Sequence, residues 1–231
     1  MKILAVDTSS FPASAAVAED NVILGEYVIR NKKKHSQNLM VMVERLLNDL
    51  DMDISEMDMF AVTVGPGSFT GLRIGISTVR AFAQAAGKPV VGINTLEALA
   101  YNYVGSSAVV IPMLDARREE VFTAAYCFSG NEQRELLAPT VMTVDEISEL
   151  FSDGIVIYTG DGMLKHREEI TGEDVIFAPA NLSEVRAASV AALALAKADT
   201  AVHYNMITPL YLRKSQAERE LENKKKGLSD K

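Results

Sequence analysis

The stretch GPGSFTGLRIG, residues 65–75, decides how the first half of this chain folds. It follows an apolar run at residues 59–64 and opens a long apolar pattern with helical spacing. A strand that ends in Gly-Pro-Gly and turns directly into a helix brings backbone N–H groups close to a phosphate, a ligand or another chain. The glycine spacing differs from that of dinucleotide folds, and no Gly-Lys-Ser/Thr ending is present. The stretch therefore does not match the common nucleotide loops.

The residues around this stretch predict a meander followed by β-α-β crossovers. Apolar periodicity and turn residues predict the following elements: strands at 3–6, 13–18, 22–29, 60–64 and 90–93, and helices over 36–50, over 70–86 and from Asn94-Thr95 onward. Ser36 is the expected N-cap of the first helix. This order predicts a mixed α/β sheet with helices on both faces, the ribonuclease-H-like topology of actin, Hsp70 ATPase domains and sugar kinases.

The second half of the chain predicts a smaller lobe. A hairpin over 109–114 and 121–128, a strand at 155–158, a helix over 183–198 capped by Ser183 and an extended segment at 207–212 are expected. We predict a first lobe over residues 1–104 and a smaller C-terminal lobe over 105–212, whose last helix packs back on the first lobe. Residues 213–231 are expected to form a charged, flexible tail.

Composition narrows the class of protein. The 231 residues carry a formal net charge of −8, which disfavours a stand-alone nucleic-acid binder. No apolar run is long enough to span a membrane, and the start MKILAVDTSS lacks a signal-peptide layout. The single cysteine, Cys127, lies in an apolar run and is expected to pack as a small hydrophobe. We expect a cytoplasmic protein without membrane contact.

Four residues are candidates for a nucleotide cleft. Asp7, Thr8 and Ser9 follow the first predicted strand, where a carboxylate of a ribonuclease-H-like fold lies at the rim of the cleft. Asp115 occupies the equivalent place in the second half, and Gly160-Asp161-Gly162 could complete a two-lobed cleft. Turn chemistry explains each of these residues equally well.

The histidines predict no metal site. His35, His166 and His203 are scattered, and none pairs with another ligand residue at a metal-binding spacing, so surface or capping roles are favoured. No serine lies in a Gly-x-Ser-x-Gly frame. We therefore expect neither catalytic residues nor a bound metal.

The apolar stripes on residues 36–50 and 70–86 are broader than packing on one sheet face requires. Packing in the core is the default explanation for these stripes. A helix–helix surface for self-association or hetero-association is the alternative.

Five segments together resemble one family. ILAVDTS, GPGSFTGLRIG, the following GISTVRAFA, VVGINTLEALA and PLYLR resemble the TsaB (YeaZ) family, accessory subunits of bacterial tRNA threonylcarbamoyladenosine synthesis. The resemblance runs from Ile3 to Arg213. It implies an actin-like ASKHA fold with two lobes, the second of them reduced.

The resemblance also implies that the chain is not catalytic by itself. The catalytic relative TsaD carries two metal-binding histidines on the helix after its corresponding strand, and Thr95 and Leu99 stand at those positions here. Neither residue can replace a histidine ligand. No cofactor is expected in the isolated chain, whereas ATP or ADP is possible in the complex.

The family further implies partners and a contact surface. Partners would be TsaD and TsaE, a second copy of the chain in isolation, and tRNA only indirectly through the complex. The surface would include Leu39, Val43, Leu46, Phe69, Leu72, Arg73, Ile76 and Arg80. An independent ASKHA-type ATPase or small-molecule kinase is the alternative function, and a ribonuclease-H-like nuclease is disfavoured because Asp7 lacks carboxylate companions on neighbouring strands.

Overall fold

The chain folds into two lobes, each built on a five-stranded sheet. The structure is a computed structural model and describes residues 1–30, 35–172 and 174–213. Most of the predicted tail, from residue 214 onward, lies outside the described residues. Among those described, the helices are all too short or too polar to cross a membrane.

The first sheet has the predicted mixed topology. Its strands are β1 (Lys2–Asp7), β2 (Ala13–Glu19), β3 (Val22–Ile29), β4 (Met59–Gly65) and β5 (Val90–Asn94). Their order is β3-β2-β1-β4-β5, with antiparallel β1–β2 and β2–β3 pairs and parallel β1–β4 and β4–β5 pairs. The carboxyl ends of β1 and β4 therefore lie side by side, which places the Asp7 turn beside the glycine stretch.

Three helices follow from the sequence of this lobe: α1 (His35–Asp49), α2 (Phe69–Ala86) and α3 (Thr95–Ala100). Ser68 caps α2 by accepting a hydrogen bond from the Gly71 N–H at 3.2 Å, and Gly87 ends the helix in the left-handed region at φ 65°. Ser36 was predicted as the N-cap of α1. It lies inside this helix, which begins one residue earlier.

The second sheet contains more structure than the sequence predicted. It comprises β6 (Val109–Arg117), β7 (Glu120–Ser129), β8 (Glu132–Met142), β9 (Val156–Thr159) and β10 (Val175–Phe177) in the order β10-β9-β6-β7-β8. Its helices are α4 (Val144–Leu150), α5 (Asp161–Lys165) and α6 (Ala187–Ala196). The predicted hairpin is β6–β7. The edge strands β8 and β10 were not predicted, because β8 opens with four polar residues and contains Pro139, and β10 is only three residues long.

The start of α6 corrects one prediction. The helix begins at Ala187 instead of Ser183, whose hydroxyl donates to the Ala180 carbonyl. The intervening residues are held outside the helix, because the Asn102 side-chain amide donates to the carbonyls of Leu182 and Glu184 at 3.2 and 2.9 Å.

Two hydrophobic cores cover the two faces of the first sheet. Alternate residues of β1 point to opposite faces: Leu4 and Val6 contact the core that includes α1 and α2, whereas Ile3 and Ala5 contact the core that includes α3, α6 and the second sheet. The core that includes α3, α6 and the second sheet is thus shared by both lobes. The predicted limit at residue 104/105 falls in the connection between α3 and β6 and stays a prediction as a domain boundary.

Candidate functional site

The glycine stretch forms a tight connection from β4 to α2 that lies directly on the turn after β1. The backbone N–H of Ser68 donates a 2.7 Å hydrogen bond to the Ser9 carbonyl. A Cβ added at Gly67 would lie 2.4 Å from that carbonyl oxygen, and one added at Gly71 would lie 2.0 Å from the Thr8 carbonyl oxygen. These glycines are therefore required by contact between two segments of backbone, and one loop amide is already hydrogen-bonded inside the protein.

Asp7 organises the turn against this loop. Its Oδ1 accepts hydrogen bonds from the Ser9 N–H at 3.1 Å, from the Ser9 hydroxyl at 2.6 Å and from the Thr63 hydroxyl at 2.6 Å. The Thr8 hydroxyl donates to the Gly71 carbonyl at 2.8 Å. Asp7, Thr8 and Ser9 are each at most 1% exposed. The three candidates lie beside the glycine loop as buried links between β1, β4 and α2.

Asp115 lies on the second lobe near the end of β6 and is exposed. Its Oδ1 accepts hydrogen bonds from Lys165 Nζ and from the Arg117 N–H, both at 2.8 Å. Partial desolvation raises the pKa of the Asp115 carboxyl, but these two hydrogen bonds, together with the charges of Lys165 and His166, outweigh that effect and hold the pKa below its usual range. Asp161 accepts from the Asp115 N–H at 3.1 Å. These contacts fasten the turn end of the β6–β7 hairpin to α5.

A cavity of about 50 Å³ lies between the lobes. Ligand pockets for drug-sized molecules commonly measure about 300–1,000 Å³, so this cavity is small for a nucleotide. Of the cleft candidates, Asp161 lines it, whereas Asp7, Thr8, Ser9 and Asp115 do not. The remaining lining residues come from both lobes: Ser10, Phe11, Pro12, Arg30, Leu99, Leu114, Leu164, Ser183, Glu184 and Val185.

Five of the eight predicted contact residues need correction. All five are at most 3% exposed: Leu39, Val43, Leu46, Leu72 and Ile76. Leu39, Val43, Leu46 and Ile76 belong to the core between the first sheet and its helices. The stripe that these residues form packs on the sheet, so it is not available on the surface of the described chain. The prediction failed because a broad apolar stripe has two edges, and the sequence alone does not show which edge packs on the sheet.

The other three predicted contact residues lie at the opposite edge of α2. Arg73 is exposed, whereas Phe69 and Arg80 are half-buried. All three contact the C-terminal segment: the Arg73 Nε donates to the Tyr211 hydroxyl at 2.9 Å, Phe69 stacks on the Tyr211 ring, and Arg80 donates to the Ile207 carbonyl. Tyr211 was not among the predicted contact residues, although it lies in the PLYLR segment.

Two further predictions concern metal chemistry. Thr95 and Leu99 are fully buried on α3, and Leu99 belongs to the core shared by the lobes. His203 is exposed. His166 is 3% exposed and bonds Glu169 through Nδ1 at 2.9 Å, and it is the C-cap of α5, so of the two predicted roles it has the capping one. Across residues 1–30, 35–172 and 174–213, no three His, Cys, Asp or Glu side chains gather as a metal site would need.

Comparison of the sequence with known proteins identifies similar families and relatives. A family model described as TsaD, tRNA N6-adenosine threonylcarbamoyltransferase, matches residues 22–221. The tRNA threonylcarbamoyladenosine biosynthesis protein TsaB of Bacillus subtilis strain 168 is 32% identical over 223 residues, which cover 94% of this chain and 96% of the relative. TsaB of Escherichia coli K12 is 29% identical over 168 residues, covering 69% and 72% of the two chains.

Comparison with solved structures agrees with the comparison of sequences. The structure of YeaZ from Pseudomonas aeruginosa superimposes with a TM-score of 0.80 at 27% identity, covering 91% of this chain and 99% of the other. Component A of (R)-2-hydroxyglutaryl-CoA dehydratase from Acidaminococcus fermentans matches with a TM-score of 0.51 at 10% identity, which shows a shared fold alone. The predicted actin-like α/β fold class is confirmed.

Proposed function

Because the chain belongs to the TsaB family, we propose that it is a non-catalytic subunit that binds TsaD and TsaE. Family membership supports a role in tRNA threonylcarbamoyladenosine biosynthesis. In the proposed complex TsaD transfers the threonylcarbamoyl group to N6 of the adenosine beside the anticodon, and this chain supplies a docking scaffold. The chain would meet tRNA only through the complex, in the cytoplasm, and form homodimers when TsaD is absent.

The single observation that carries the proposal is the packing of the glycine loop on the β1–β2 turn. In a phosphate cradle, backbone N–H groups point at the ligand. Here the Ser68 N–H donates to the Ser9 carbonyl, and the Thr8 and Ser9 carbonyl oxygens occupy the space beside Gly71 and Gly67. This geometry supports a loop that fastens α2 to the sheet instead of one that binds a phosphate.

The surroundings of the loop support the same function. Leu99 offers only hydrocarbon where the resemblance places a histidine of the catalytic relative, and the cavity between the lobes measures only about 50 Å³. The exposed edges of α1 and α2 provide contact residues for a partner, including Met40 at 53% and Val41 at 44% exposure together with Arg73. ATP or ADP would bind in the assembled complex.

Reconstitution tests the proposal. Reactions that contain TsaD, TsaE, TsaC, ATP, threonine, bicarbonate and tRNA should produce the modified nucleoside only when this chain is added. Equal yields with and without the chain would contradict a required subunit. Calorimetry of the isolated chain with ATP separates the alternative, because an independent ATPase or kinase predicts micromolar binding and turnover without TsaD.

A further inference from the structure

Three side chains form a stacked cluster at the start of α2. The rings of Phe69 and Tyr211 lie 4.7 Å apart between centroids at an interplanar angle of 23°. The Arg73 guanidinium lies one turn after Phe69 and 3.9 Å from its ring centroid, within cation–π distance. Because the Arg73 Nε also donates to the Tyr211 hydroxyl at 2.9 Å, the guanidinium is held at two points.

The position of Tyr211 is fixed from both sides. Just before it, the Leu210 N–H donates to the Val64 carbonyl at 2.7 Å. The Leu210 carbonyl lies so close to Gly65 that an added Cβ would approach its oxygen to 2.4 Å. After it, Arg213 donates to the Ala116 carbonyl at 3.0 Å and pairs with Glu120 at 2.8 Å on the second lobe. The aromatic surface under Arg73 is therefore preorganised.

The cluster is open to solvent on its outer side. Arg73 is exposed, and Leu210 and Tyr211 are 40% and 39% exposed. Tyrosine, phenylalanine and arginine are enriched in the cores of protein interfaces, and arginine and tyrosine are among the residues that contribute most to binding. This composition distinguishes the cluster from the scattered exposed apolar residues that every protein surface carries.

The donors of Arg73 indicate the chemistry of the partner. Its Nε is used inside the cluster, and within the described part of the chain the two Nη groups have no hydrogen-bond or ion-pair partner. A fixed guanidinium with a free pair of Nη donors matches a carboxylate in geometry and charge. Resting on the function proposed above, we propose that Arg73, supported by Phe69 and Tyr211, binds an Asp or Glu side chain of the partner protein.

Neighbouring charges favour a carboxylate over a phosphate. Arg80, two turns further along α2, donates to the Ile207 carbonyl and to the Asn205 carbonyl at 3.3 Å. Arg213 is paired with Glu120. A polyphosphate or an RNA backbone requires several free cations, whereas among the described residues Arg73 contacts the rings of Phe69 and Tyr211. The site fits one carboxylate that is flanked by apolar side chains.

Titration calorimetry of the full-length chain with its TsaD partner tests the inference. Arg73→Gln removes the charge but keeps much of the side chain, and we expect about 30-fold weaker binding, as for an interface residue of large effect. Arg73→Lys keeps the charge without the planar fork and should weaken binding by about 10-fold. The affinity of the wild type for TsaD should fall more steeply with added salt than the affinity of Arg73→Gln. If Arg73 had only a structural role, the two proteins would show the same salt dependence.

Controls separate the possible outcomes. Arg134→Gln, an exposed arginine on β8, should bind like the wild type. Equal affinities of the wild type and both Arg73 variants would overturn the inference while leaving the proposed function intact. Failure of the wild-type chain to bind TsaD would instead overturn the proposed function, and the inference with it. If Arg73→Gln lost binding to ATP or tRNA but kept TsaD, the carboxylate assignment would be wrong. Should Arg73→Gln fail to fold, Arg73→Lys decides the same question.

Discussion

Thr8 contacts two glycines of α2 through two different atoms. Its backbone carbonyl oxygen lies where a Cβ on Gly71 would lie, and its side-chain hydroxyl lies 2.4 Å from the position of a Cβ on Gly75. The Thr8 carbonyl directly follows β1 and cannot move without disturbing the backbone of the turn, whereas the Thr8 hydroxyl can be removed by mutation. The two glycines should therefore respond differently to the same change at Thr8.

Replacing each glycine by alanine tests this contact. Gly71→Ala should lower the free energy of unfolding by about 3 kcal/mol, near the upper end of overpacking, because the new methyl group meets backbone. Gly75→Ala should cost about 1–3 kcal/mol in the wild type. In a Thr8→Ala background the cost of Gly75→Ala should disappear, because the methyl group gains space and alanine favours the helix by about 1 kcal/mol.

Urea denaturation of the single and double variants measures the coupling energies. Thr8→Ala alone serves as the reference, since it loses the 2.8 Å hydrogen bond to the Gly71 carbonyl at a cost of about 1 kcal/mol. Additive effects of Thr8→Ala and Gly75→Ala, or rescue of Gly71→Ala by Thr8→Ala, would show that the packing is not as described.

At the scale of elements, α2 has a buried face and an exposed face that the sequence did not distinguish. Ile76 is 3% exposed in the core, and the next residue, Ser77, is exposed. Ile76→Glu should destabilise the chain by more than about 4 kcal/mol, because it buries a carboxylate without a partner, and should leave little folded protein. Ser77→Glu should change stability by less than about 0.5 kcal/mol.

Circular dichroism and thermal melting compare the two variants. A folded Ile76→Glu protein with altered association would instead support the original assignment of Ile76 to a contact surface. The comparison is matched, since both variants place the same charge on adjacent residues of one helix.

The elements that the sequence predicted correctly are those whose structure depends on local pattern. The strand at residues 22–29 and the helix near 70–86 follow from turn residues and apolar periodicity. β8 was not predicted, because it opens with four polar residues, contains Pro139, and is determined by pairing with β7. In the candidate site, the sequence singled out Asp7, Thr8 and Ser9 after the first strand but did not predict their contact with the glycine loop. It missed Tyr211, because the contact with Phe69 joins residues that are far apart in the chain.

At the scale of the whole molecule, the lobes are joined by shared packing and by α6. This helix follows the second sheet in the chain but packs on β1 and β2 of the first. Glu26 on β3 accepts the Ala188 N–H at 3.0 Å and pairs with Arg186 at the start of the helix. The Ser14 hydroxyl accepts the Ala187 N–H at 3.0 Å. We therefore expect both lobes to unfold in one cooperative transition.

Glu26→Ala tests how strongly the attachment of α6 to the first sheet contributes to the stability of the chain. The Glu26 side chain is only 9% exposed, and its loss leaves the Ala188 N–H and the Arg186 guanidinium without an acceptor. Breaking a buried ion pair costs about 3–5 kcal/mol, but Arg186 is 38% exposed and recovers part of its hydration. We expect a loss of about 2–3 kcal/mol, measured by urea denaturation with both circular dichroism and tyrosine fluorescence.

Glu184→Ala is the matched control, because Glu184 also pairs with an arginine of the first lobe, Arg30, which is 54% exposed. Glu184 is 22% exposed, so this pair is more open to water than the Glu26–Arg186 pair. A pair near the surface contributes about 0–1 kcal/mol, so this variant should unfold at nearly the wild-type urea concentration. If the two substitutions lowered the free energy of unfolding equally, the charge of Glu26 alone would account for its contribution to the attachment of α6. Separate transitions for the two probes in Glu26→Ala would show that Glu26 is needed for the lobes to unfold together. One transition at a lower midpoint, with the slope unchanged, would show that the shared core alone keeps them cooperative.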